Sequence, residues 1–127
     1  MNTPLIGAAT KELRTQADRK KAKDLQRFFK TGKGEYAEGD IFLGVMVPQT
    51  RTIAKKYFSL PLDKVVLLLR SKWHEERLLA LLILVAQFNS AEEEGRHAIL
   101  KLYLKNTRYI NNWDLVDLSA PHIVGVS

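Results

Sequence analysis

Along most of this chain apolar residues recur every three or four positions, the spacing of helices that face a core. Leu, Ala, Lys, Glu and Arg dominate the long segments, as helix formers do. Thr3-Pro4 opens a short first helix, with Thr as N-cap and Pro at the first helical position. A second helix runs from about Ala17 to Lys30, carries the basic stretch RKKAK at residues 19–23, and stops at Gly32. Pro48 starts a helix to about Phe58, and Leu62 to Arg70 forms another, with Pro61 between them. His74 to Phe88 is apolar on most faces, which implies a helix buried between neighbours. Ser90 and Glu93 have capping-box spacing ahead of a helix to about Lys105. Asn112 caps a helix starting at Trp113, and Ser119-Ala120-Pro121 starts one more. Ile41 to Val47 has some extended character, limited by Gly44 and Pro48.

These elements make an all-α fold. Helix pairs joined by short turns stack either as a HEAT-like α-solenoid or as a bundle, and periodicity alone does not choose between them. The 127 residues are enough for one domain, 1–127. A solenoid normally ends in a repeat with a polar outer face, and IVGVS at residues 123–127 offers none. The expectation is therefore the N-terminal portion of a longer, truncated architecture.

Charge adds a partner to this picture. Residues 1–56 hold 12 basic and 6 acidic residues, whereas residues 57–127 hold 8 of each, so the whole net charge of +6 sits in the first half. A one-sided basic surface points to a polyanion, most often nucleic acid. The candidate phosphate contacts are Lys20, Lys21, Lys23, Arg27, Lys30 and Lys33, with Arg51, Lys55 and Lys56 as a second group. Cysteine is absent, which excludes disulfides and thiol chemistry and suits a cytoplasmic location. The longest apolar run, Leu78 to Ala86, is too short to cross a bilayer, so no membrane partner is expected.

Candidate chemistry is sparse. The loop GKGEYAEGD lacks the spacing of a phosphate loop, and its acidic residues would repel phosphate. His74, His97 and His122 are scattered, so no metal site and no cofactor are expected. One segment stands out, Asn111-Asn112-Trp113-Asp114-Leu115-Val116-Asp117. On a helix Trp113 and Asp117 share a face, with Cβ atoms roughly 6 Å apart, and Asp114 points elsewhere. An aromatic face beside a carboxylate suits stabilisation of a cation. The competing reading places Trp113 in the core and leaves both Asp residues serving a helix N-terminus.

WDLVD followed by LSAPHIVG resembles the signature of AlkD-type DNA alkylation repair proteins, alkylpurine DNA glycosylases built from HEAT-like repeats. HEERLLALLILVAQF (74–88) resembles that family's buried helix, and LGVMVPQTRTIAKKY (43–57) its helix entered through a proline. The resemblance runs from about Arg27 to Gly125. It implies a solenoid fold, double-stranded DNA containing alkylated purines as substrate, and Trp113 and Asp117 as the catalytic pair. It also implies a longer chain, whose C-terminal half would supply a second aromatic and further basic residues. Met46 departs from members that carry a polar side chain there. The resemblance therefore implies excision of cationic N3- and N7-alkylated purines. A non-catalytic HEAT-like module that binds DNA by shape and charge is the alternative, and a scaffold for protein partners is the third reading.

Overall fold

The computed structural model describes residues 6–28 and 41–110 together with positions 115, 119 and 123. Among the described residues six α-helices with defined bounds follow in chain order: α1 (Ile6–Thr15), α2 (Arg19–Phe28), α3 (Val47–Lys56), α4 (Leu62–Leu69), α5 (His74–Ser90) and α6 (Glu93–Lys105). A 3₁₀ turn, Thr107–Tyr109, follows α6. Among the described residues there is no strand, only an isolated parallel bridge between Ile41 and Trp73. The fold is all-α, and the extended character of residues 41–47 reduces to that bridge. Thr3-Pro4, Gly32 and Asn112 lie outside the described residues.

Helix α5 is the centre of the packing and touches α1, α3, α4 and α6. Every residue from His74 to Leu84 is buried. The reason is visible in LLALLIL at residues 78–84, which offers no polar face to turn toward water. The partners contribute narrower stripes: Ala9 and Leu13 from α1, Ile53 and Ala54 from α3, Val65, Leu68 and Leu69 from α4, and Ile99 and Tyr103 from α6. Truncating one of the fully buried α5 leucines to Ala costs about 2–5 kcal/mol in comparable cores.

The α5–α6 junction corrects the expected capping box. Ser90 is the last residue of α5, and its hydroxyl donates backward to the carbonyls of Ala86 and Gln87 (3.1 and 3.3 Å). The N-cap of α6 is Glu92, without a side-chain cap bond. Arg96 closes the junction instead, donating Nε–H to the Phe88 and Ala91 carbonyls (3.0 and 3.2 Å). The long apolar register of α5 carries the helix as far as the serine.

Ser119 ties the last described segment to the rest of the fold. Leu115, Ser119 and Ile123 are helical and fully buried. The Ser119 hydroxyl donates to the Leu115 carbonyl four residues earlier (2.6 Å). Its oxygen also meets the Tyr103 hydroxyl (2.8 Å), which ties this segment to α6. Burial raises the Tyr103 phenol above its usual pKa.

Candidate nucleic-acid interface

The basic helix α2 owes its position to a carboxylate on another helix. Glu75 stands in the first turn of α5 and is buried. Its oxygens accept the N–H groups of Leu43 (2.8 Å), Gly44 (2.9 Å) and Val45 (3.2 Å). Three successive amides around a residue with φ of +87° form an anion-binding nest, and here the anion is the protein's own side chain. The helix N-terminus adds to the stabilisation of the carboxylate. His74 locks the same loop, donating its N–H to the Ile41 carbonyl (2.8 Å) and placing its ring 4.5 Å from that of Phe42.

The loop then carries both basic helices. The Leu43 carbonyl accepts the N–H of Asp18 (2.9 Å). A Cβ on Gly44 would lie 2.0 Å from the Asp18 carbonyl oxygen and 2.8 Å from the Ala22 nitrogen, so only glycine allows this approach. Asp18 in turn caps α2, its carboxylate accepting N–H from Lys20 (2.9 Å) and Lys21 (3.1 Å). The bond from the Lys21 amide holds the Asp18 carboxyl below its usual range. At its other end the loop runs into α3, where Gln49 accepts the Met46 N–H (3.0 Å) and Pro48 occupies the first turn. The approach of Gly44 to Asp18 could not be read from the sequence.

Helix α2 divides its residues by face. Ala22, Leu25 and Gln26 are half-buried, while Lys20, Lys23 and Arg27 are exposed at the i, i+3, i+7 spacing of one stripe. Lys21 and Arg19 are also exposed and flank that stripe. Asp24 is in loose contact with Arg27 at 4.0 Å, and the Asp18 carboxylate lies beside Lys20 and Lys21. On α3, Arg51 and Lys55 are exposed and one turn apart. Lys56 differs, because its ammonium bonds Glu12 of α1 (3.0 Å). Glu12 also accepts the Tyr57 hydroxyl (2.7 Å), which together with Lys56 keeps its carboxyl below the usual range, and in return it raises the pKa of both partners. Lys56 therefore joins helices, whereas Arg51 and Lys55 stay open to a ligand. Lys30, Lys33, Trp113 and Asp117 lie outside the described residues.

A cavity of about 90 Å³ lies beneath α2, lined by Leu25, Phe42, Val45, Met46, Val47, His74, Glu75 and Leu78. That is well short of the few hundred Å³ a small-molecule pocket usually needs. No group of His, Cys, Asp and Glu among the described residues could hold a metal ion. No described helix is long and apolar enough to cross a membrane.

Among protein families, the model of one described as DNA alkylation repair enzyme matches residues 9–126. No curated protein and no solved structure matches the chain significantly.

Proposed function

Because the chain belongs to the DNA alkylation repair enzyme family, we propose that it acts as a glycosylase on cationic N3- and N7-alkylated purines in duplex DNA. The observation that carries this reading is the reach of the family match, which spans the Trp113–Asp117 segment as well as the buried helix α5. The family gives DNA as the substrate, and the exposed cations of α2 and α3 are the groups that would meet its phosphates. A HEAT-like solenoid spanning 1–127 belongs to the same proposal and is supported by the helices packed around α5.

The chemistry follows from the leaving group. An alkylated purine carries positive charge, so it departs with the electron pair of the C1′–N bond and becomes neutral without a general acid. Positive charge then develops on the sugar. Asp117 would stabilise it and orient a water whose oxygen adds to C1′ as its proton passes to solvent or to the carboxylate. The Trp113 indole would position the deoxyribose and contribute a cation–π term. Leu115, Ser119 and Ile123 are buried among the described residues.

The test is release of a 7-alkylpurine from duplex DNA. Asp117→Asn should remove most activity, about 10²–10³ in rate, the usual cost of one preorganised electrostatic group. Asp114→Asn should leave the rate nearly unchanged. Full excision by Asp117→Asn would overturn the assignment. Duplex binding without excision by any variant or by the wild type would put the non-catalytic module in its place.

A further inference from the structure

The half of the sequence with no net charge contains a strongly polarised groove. It runs between α4 and α6, has a volume of about 470 Å³, and is lined by Asp63, Val66, Arg70, Ala98, Lys101, Leu102, Lys105 and Asn106. Val66, Ala98 and Leu102 make an apolar floor. Both helices end at the same place, because Arg70 closes α4 and donates Nε–H and Nη2–H to Oδ1 of Asn106, which closes α6 (3.3 and 3.2 Å). The Arg70 guanidinium also lies 5.6 Å from the centre of the Tyr109 ring, and that of Arg108 lies 5.1 Å from the same ring. Arg70 is thus held in place before any ligand arrives. Lys101 and Lys105 stand one turn apart on α6, exposed and without an ion-pair partner among the described residues. The negative end of a helix dipole accounts for Lys105 but not for Lys101, a turn further in, nor for the apolar floor.

The helices that form the groove also carry more apolar surface than the core uses. Leu67 on α4 is 55% exposed and Leu104 on α6 is 52% exposed. Duplex DNA presents a charged backbone and no apolar side chains to such a floor. A protein segment with apolar anchors and carboxylates matches both the floor and the rim. Asp63 and Arg70 are seven residues apart on α4, about 10 Å, or two helical turns.

We propose that the α4–α6 groove is a docking site for a short acidic amphipathic helix of a partner protein. Its apolar residues, one turn apart, seat on Val66, Ala98 and Leu102. Its carboxylates face Arg70, Lys101 and Lys105. The site is separate from the basic face of α2 and does not depend on the glycosylase reading.

The experiment uses the whole chain and a fluorescein-labelled, four-turn synthetic helix with leucines at i, i+3 and i+7 and glutamates elsewhere. Fluorescence anisotropy should show binding that weakens with salt, and the same peptide with lysines for glutamates should not bind. The Lys101→Glu/Lys105→Glu variant changes two exposed residues, so its circular dichroism and melting should match the wild type, and its affinity for the peptide should fall at least tenfold, about the cost of reversing close charge pairs. Backbone amide shifts on titration should cluster at Val66, Ala98 and Leu102. Three results would overturn the proposal: peptide affinity that survives the reversal or is absent from the start, a plain duplex whose affinity falls with the reversal as it does with removal of Lys20, Lys21 and Lys23, or a dimer in sedimentation that the reversal dissolves.

Discussion

The Glu75 carboxylate accepts the N–H of Gly44 at 2.9 Å, from a residue with φ of +87°, and so ties the first turn of α5 to the loop that carries α2 and α3. Both residues answer the same demand. Three amides of one loop converge on a buried site, and only a negative side chain that accepts from all of them satisfies the loop. Only glycine tolerates the backbone this convergence requires so close to Asp18.

Glu75→Gln should therefore destabilise the fold by about 1–3 kcal/mol, because the new amide turns a donor toward backbone donors. Gly44→Ala should cost at least about 1 kcal/mol from its φ alone, and more from overlap with the Asp18 carbonyl. Urea midpoints of the two variants check both. An unshifted midpoint for Gly44→Ala would mean that the loop does not hold α2 in this way.

The two groups of lysines should separate in a salt series on plain duplex DNA. Lys20/Lys21/Lys23→Ala should lower the log–log slope by about 0.9 for each phosphate no longer neutralised. Lys56→Ala should leave the slope near the wild-type value, because its ammonium is held by Glu12. Equal slopes for the triple variant and the wild type would take α2 off the interface.

Acid should weaken the fold through Glu12 and Asp18. Both carboxyls have folded pKa values below their ordinary ones, Glu12 chiefly through the Tyr57 hydroxyl and Asp18 through the Lys21 amide. A lowered folded pKa gives stability that is complete above the ordinary carboxylate range and is lost as pH falls through that range to the folded value. The decline should begin near pH 4 and deepen below it. Asp18→Asn keeps an N-cap residue without the titration. Its melting temperature should fall less between pH 6 and about pH 3 than that of the wild type, and parallel curves would exclude Asp18 as a source of acid sensitivity.

Ser119 and Tyr103 should respond unequally to truncation. Tyr103→Phe leaves the Ser119 hydroxyl on the Leu115 carbonyl and should cost about 1 kcal/mol. Ser119→Ala leaves a buried phenol without its partner and should cost about 1–3 kcal/mol. Chemical denaturation of the two single variants and the double variant gives the coupling directly. A coupling of zero would mean that this bond does not anchor the segment on α6.

Much of the architecture was legible in residue order, because helix formation depends on what lies three and four positions away. The all-apolar run at residues 78–84 marks α5 as the buried helix, Pro48 and Pro61 bound their elements, and the spacing of Lys20, Lys23 and Arg27 marks one face of α2. Trp113 and Asp117 rest on family membership and helical spacing alone. Local signals failed where two of them competed: Ser90 reads as a cap, yet the apolar register of α5 carries the helix as far as that residue.

What only the tertiary structure decided is which charges meet. Glu75 and Gly44 are separated by 31 positions, and nothing in the spacing of either says that a carboxylate will fill a nest on a distant loop. Lys56 and Glu12 are 44 positions apart, and their pairing ties α3 to α1. The net-zero half likewise gathers Arg70, Lys101 and Lys105 around one groove, while Glu75 and Glu76 disappear into the core. A charge count sums over the chain, whereas a ligand meets only the charges that folding leaves side by side.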